Sequence, residues 1–201
     1  MGRFKVKKQD TFIDMTPMSD VMVLLLTFFM LTATFVKEEP IKVNVPGSVS
    51  NVAVPEKNYL TIFINNQGRV FLTMDDEAGQ REMVQTLIDQ DRLHITPEQL
   101  AKVCKAPTLG TPLNVVGSWI DSPDPNGYLT QNPAAGIPCD SVNQELSVWV
   151  AAALDARGDD LTIAIKADTE TPYGVVKHVM DALRSVDANR YNLLTNLKKE
   201  E

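Results

Sequence analysis

Asp20 is a carboxylate set where apolar sequence dominates. It directly precedes Val21 to Val36, VMVLLLTFFMLTATFV, sixteen residues without a charge. An ionised carboxylate within hydrocarbon costs ~2.5 kcal/mol or more at the centre of a span, and is retained mostly where it faces protein or water and has a task. Desolvation penalises its charged form, so such a group can take up and lose a proton. Steps of seven residues lead from Asp20 to Thr27 and on to Thr34. At 100° per residue each step drifts only ~20°, so the three form one polar stripe. Pro17 either starts a helix or removes one of its hydrogen bonds, and both leave polar backbone close to Asp20. The threonines can instead satisfy their hydroxyls on the preceding turn, and Asp20 can snorkel toward the interface. Asp14 reads as an interfacial, solvated group.

Elsewhere the residue types offer little chemistry. Cys104 and Cys139 are the only cysteines. In an oxidising compartment they could close a disulfide that stabilises by about 2 to 4 kcal/mol, or they are two buried thiols. Asp121, Asp124 and Asn126 precede Gly127, but Ser122 stands where a calcium loop needs an early acidic ligand, and a Pro-Asn-Gly turn accounts for the segment. His94 and His178 have no second ligand at metal spacing. No phosphate loop or nucleophile elbow occurs. The expectation is a protein without enzymatic activity, metal or cofactor.

The Asp20 stripe needs a helix to carry it. Extending the uncharged run back to Thr11 gives twenty-six residues interrupted only by Asp14 and Asp20. A helix of that length crosses a hydrocarbon core of about 30 Å. A cleaved signal peptide and a buried core helix are the competing readings. The acidic residues and Pro17 at the head of the run, with no small-residue cleavage site after it, speak against the first. The second would need a larger domain around the helix. Arg3, Lys5, Lys7 and Lys8 lie before the run, within a chain of formal charge −7. That bias places the N-terminus in the cytoplasm, and the overall charge argues against nucleic acid as a partner.

Beyond the run, 201 residues with 44% apolar and 22% charged content imply one compact domain plus an appendage. Ile41 to Val45 reads as a short strand or extended tether. Tyr59 to Ile64 alternates as a strand, Asn65 to Gly68 turns, and Arg69 to Leu72 pairs back. A helix spans Asn143 to Arg157 and ends at Gly158. Leu161 to Ala167 is a strand. Thr171 caps a helix that begins with Pro172 and runs through about Ser185, and Tyr191 to Leu197 closes the sheet. Residues 74–142 hold seven of the twelve prolines, an insertion rich in loops with helices near Gln80 to Gln90 and Pro97 to Lys105. The fold class is α+β: a single N-terminal transmembrane helix, then a small domain with a short sheet and helices on one face. Its segments are a basic tail (1–12), a transmembrane helix (13–36), an extended tether (37–57) and the outer domain (58–201).

Four ordered segments carry a family resemblance. Ile13-Asp14-Met15-Thr16-Pro17-Met18-Ser19-Asp20-Val21-Met22 resembles the signature of the ExbD/TolR family, the single-span proton-channel subunits of energy-transducing complexes in Gram-negative inner membranes. Thr16 and Pro17 stand in the helix-start motif, whereas Asp14 replaces its usual Asn and Ser19 a usually apolar residue. Val43 to Ser48 (VNVPGS) is similar to a segment after the span, Tyr59 to Ile62 to the first strand, and Leu161 to Asp168 with Val175 to Leu183 to the strand, turn and helix near the C-terminus. The resemblance implies that Asp20 is the proton relay; Thr27 and Thr34, on its stripe, would then be polar neighbours of the path or of partner hydroxyls. It implies a pentameric ring of an ExbB/TolQ-like polytopic protein, a second copy of the chain, and a TonB-like protein that opens outer-membrane transporters. The outer domain would be periplasmic, and the span would lie in the inner membrane. A TolR-like anchored module that holds peptidoglycan or an envelope partner is the alternative.

Overall fold

The computed structural model describes residues 15–33, 41, 43–48, 58–140, 143–188, 190–194 and 196–197. The chain divides into two units, Met1–Lys37 and Glu38–Glu201.

Among the described residues of the first unit one helix, α1, runs Thr16–Thr32. It starts where Pro17's fixed φ suits a first turn and ends at Ala33, whose N–H still reaches the Phe29 carbonyl. Seventeen residues rise about 25 Å. Among the described residues no helix is long and apolar enough to cross a membrane. Of the spanning helix expected over 13–36, residues 13–14 and 34–36 lie outside the described residues.

The second unit holds strands β1 (Gly47–Ser48), β2 (Tyr59–Ile64) and β3 (Val70–Met74). Helices α2 (Glu77–Asp89), α3 (Pro97–Val103), α4 (Val116–Ile120), α5 (Pro125–Gln131) and α6 (Glu145–Arg157) follow. Strand β4 (Thr162–Ala167), α7 (Tyr173–Ser185), β5 (Tyr191–Leu193) and β6 (Asn196–Leu197) complete it. The main sheet has the order β3-β2-β4-β5, antiparallel only between β2 and β3. The parallel pairs demand crossovers, which α6 and α7 supply. α6 lies between α2 and α7. Leu60, Ile62 and Ile64, with register neighbours Leu72, Ile163 and Ile165, are buried to 1% exposure or less, as alternation on a covered face requires.

The other face is covered too, beyond the expectation of helices on one side. Phe71 alternates with Leu72 and is also fully buried. Gly110 lies so close to its ring that a Cβ there would overlap it, and Leu129 of α5 stands beside the same position. Arg69 lies over the ring, its guanidinium carbon 5.8 Å from the centroid, and donates to the Leu129 and Asn132 carbonyls at 3.4 and 2.7 Å.

The insertion is therefore part of the core. Leu72 and Leu109 exchange two backbone hydrogen bonds of 2.7 Å, and Ile137 N–H donates to the Val70 carbonyl at 2.8 Å. These close the outer edge of β3, which would otherwise offer unpaired backbone to another chain. The buried Gln80 amide donates to the Val103 and Ala106 carbonyls at 2.7 and 3.1 Å. Gln80→Leu takes this donor from the Ala106 carbonyl and leaves the Val103 carbonyl only the Ala106 N–H at 3.0 Å, so it is expected to cost about 1 to 3 kcal/mol, read as a lower urea midpoint for the unit 38–201.

The insertion also differs in detail from expectation. α2 begins at Glu77 because Asp76 accepts from Gly79 N–H at 2.9 Å. The Pro-Asn-Gly segment is the first turn of α5, with Asp124 accepting from Gly127 N–H at 2.9 Å. Asp at the cap followed by Pro is a helix start as much as a turn signal. Cys104 and Cys139 are both buried free thiols, so the disulfide alternative is not realised here. Burial raises the Cys104 thiol against the opposing charge of Arg81, and burial, aided by Asp140, raises Cys139. Since the thiolate is the nucleophile, both are expected to resist iodoacetamide at pH 7 in the folded chain and to label fully in urea, as mass spectrometry would show.

Candidate functional site

Asp20 sits in the second turn of α1, and Thr27 follows two turns later on the same side. Thr16 is the first helical residue, with Pro17 next to it. Thr34 and Asp14 lie outside the described residues, so the stripe is described at two of its three positions. The Asp20 carboxylate has no partner among the described residues. Thr27 donates its hydroxyl to the Leu24 carbonyl at 2.9 Å. Its proton is thus held within its own helix, and only its oxygen lone pairs face outward. Ser19 and Thr32, not singled out in the sequence, do the same toward Met15 and Phe28 at 3.2 and 2.8 Å. Ser19 and Thr32 stand off the Asp20 stripe by about 100° and 120°.

The remainder of the helix is apolar and uncovered. No residue of α1 is buried, and Leu24, Phe28 and Leu31 are 59%, 60% and 87% exposed. Phe28 and Phe29 meet edge to face at 6.1 Å. Such a helix needs an apolar surround on most sides, with one place in that surround that accepts a carboxylate.

In the second unit, two of the segments that carry the family resemblance come together. Asn44 N–H donates to Asp168 Oδ2 at 2.9 Å, and Asp168 Oδ1 accepts from Glu170 N–H at 3.0 Å. The N–H and hydroxyl of Thr169 both donate to the Asn44 carbonyl, at 2.9 and 2.8 Å. Ile41 is buried, Val43 packs on the core, and β1 pairs in parallel with β6. Residues 43–48 are thereby held against the β4–α7 turn. Sequence reasoning missed this junction, because 124 residues separate Asn44 from Asp168. Asp168→Ala removes the acceptor for two backbone donors. It is expected to speed amide exchange at Asn44 at least about tenfold, the equivalent of about 1.4 kcal/mol, while α6 amides stay protected.

Asp121, a residue type that suits calcium, is instead held below the usual carboxylate range by the Gln99 amide and then by Lys102. Gln99 Nε2 and Lys102 Nζ lie 2.6 and 3.1 Å from it. His94 lies 3.6 Å from Asp91 at the surface. Among the described residues no group of three or more His, Cys, Asp or Glu could hold a metal ion.

Comparison with known proteins agrees with the segments above. The family described as "Biopolymer transport protein ExbD/TolR" matches residues 7–198. The biopolymer transport protein ExbD of Aquifex aeolicus is 28% identical over 99 residues, 48% of this chain and 75% of its own. The biopolymer transport protein exbD2 of Vibrio cholerae is 28% identical over 93 residues, 45% of this chain and 69% of its own. No solved structure matches. With a match from residue 7 to residue 198, running through Asp20, the 43–48 junction and the β4–α7 turn, this chain belongs to the ExbD/TolR family of biopolymer transport proteins.

Proposed function

We propose that the protein is an inner-membrane subunit of a machine driven by the proton motive force, in which Asp20 carries protons and the outer domain passes motion to a TonB-like protein. The observation that carries this reading is an unpartnered carboxylate on a helix whose other outward groups are almost all apolar. α1 forms the middle of a span that continues in the uncharged sequence to Val36. Its basic N-terminal tail stays in the cytoplasm, and residues 38–201 stand in the periplasm. An ExbB/TolQ-like ring and a second copy of the chain enclose the helix.

In this account protonation neutralises the Asp20 face, and release charges it again. Moving one charge through the field is worth about 2.3 kcal/mol per 100 mV. That is enough to shift a helix between two packed positions in its surround. Thr27, its proton bound to Leu24, offers an acceptor oxygen along the path.

The reading is tested by purifying the complex. The full chain is expected to bring down the ring protein in mild detergent, and Leu25→Lys, which puts a charge on the apolar side of α1, is expected to abolish that. Co-purification of the ring protein with residues 38–201 alone would overturn the assignment of α1 as the contact.

A further inference from the structure

The insertion carries a hollow of about 310 Å³ whose chemistry the proton machine does not use. Pro107, Ile120 and Pro125 line it, and Lys102, Lys105 and Asn126 supply its polar groups. Its wall is fixed, because the buried Trp119 donates its indole N–H to the Pro125 carbonyl at 2.8 Å.

The two ammonium groups are not equivalent. Lys102 is paired with Asp121 at 3.1 Å, and that carboxylate is also bound by Gln99 at 2.6 Å. Lys105 has no ion pair among the described residues, and neither does the Asn126 side-chain amide have a partner there. One uncompensated positive charge thus stands beside an apolar hollow on a chain of formal charge −7. A ligand that satisfies both must carry a carboxylate and an apolar group within a few ångströms of each other. The last residue of a polypeptide does so on one Cα, with a full apolar side chain beside the carboxylate, whereas Asp and Glu bring only one or two methylenes and leave Pro107, Ile120 and Pro125 largely unfilled. The volume, equal to about ten waters, accommodates one or two residues and no more. Asn126 offers a donor and an acceptor to the final peptide unit.

We propose that this hollow binds the free C-terminus of a partner polypeptide ending in an apolar residue, with Lys105 taking the carboxylate and Pro107, Ile120 and Pro125 the side chain. Terminal carboxylate capture is a recurrent recognition mode. The site stands apart from Asp20, so it survives or fails independently of the proton reading.

The test titrates the detergent-solubilised full chain with acetyl-Gly-Ser-Ala-Leu as free acid, with its C-terminal amide, and with sodium acetate, followed by NMR shifts. The acid is expected to bind at least about tenfold more tightly than the amide or acetate. Lys105→Gln is expected to remove that preference and leave the amide unchanged, and added salt is expected to weaken the acid alone. Asp121→Asn, which releases Lys102, is expected to strengthen acid binding. Equal binding of acid and amide, equal binding of acetate, or no shifts at millimolar peptide would each overturn the proposal.

Discussion

Asp20→Asn is expected to abolish transporter-dependent growth while the complex still assembles. Asn keeps the size and polarity of the side chain but cannot ionise, so packing along α1 is preserved and proton transfer is lost. The effect should be all or none, because no other acidic residue stands among the described residues of α1. Asp20→Glu retains the proton on a stem one carbon longer and is expected to keep part of the activity. Growth curves on a scarce nutrient, read beside pull-down of the ring protein, separate the two effects. Unchanged growth for Asp20→Asn would leave a tethered binding module as the better account.

The second large effect concerns the outer domain. Phe71→Ala empties a fully buried site where the hairpin meets the insertion, with Gly110 and Leu129 beside the ring and Arg69 above it. Large-to-small changes of this kind cost about 3 to 5 kcal/mol, a large share of the 5 to 15 kcal/mol that typically holds a domain together. The expected result is a much lower urea midpoint in a single transition of sheet and insertion, followed by tryptophan fluorescence and far-UV dichroism together. Trp119 lies in the insertion and Trp149 in α6, and both are buried, so the fluorescence reports on each part. Separate transitions would show that the insertion is an appendage after all.

Much of the domain was legible in the chain because local patterns agree with the fold. The alternation of Tyr59 to Ile64 and the apolar run before Ala167 gave strands that the structure holds within a residue. Gly158, with φ of +64°, ends α6 where its type predicts. Some residue types carry two structural meanings. Thr171 has the residue type of a helix cap, yet its hydroxyl donates to the Asn65 carbonyl at 3.1 Å, and Pro172 occupies the cap position. Pro125-Asn126-Gly127 has the residue types of a turn, yet it forms the first turn of α5. Such choices are decided by tertiary partners, here the Trp119 indole on the Pro125 carbonyl and Leu129 in the core.

The site divides the same way. Asp20 announced itself by type and neighbours, since a carboxylate at an apolar run is costly. That Thr27 holds its proton on Leu24 is a rotamer choice that spacing does not carry. The Asn44–Asp168–Thr169 junction depends on two distant segments meeting, and only their shared likeness to one family hinted that both matter.

Proton flux through the reconstituted complex tests the central claim most directly. The full chain and its ring partner would be placed in liposomes holding a pH-sensitive dye, with a membrane potential imposed by potassium and valinomycin. The account predicts inward acidification with the native chain, a reduced rate with Asp20→Glu, and the rate of empty liposomes with Asp20→Asn. Equal flux for the native chain and Asp20→Asn would contradict it.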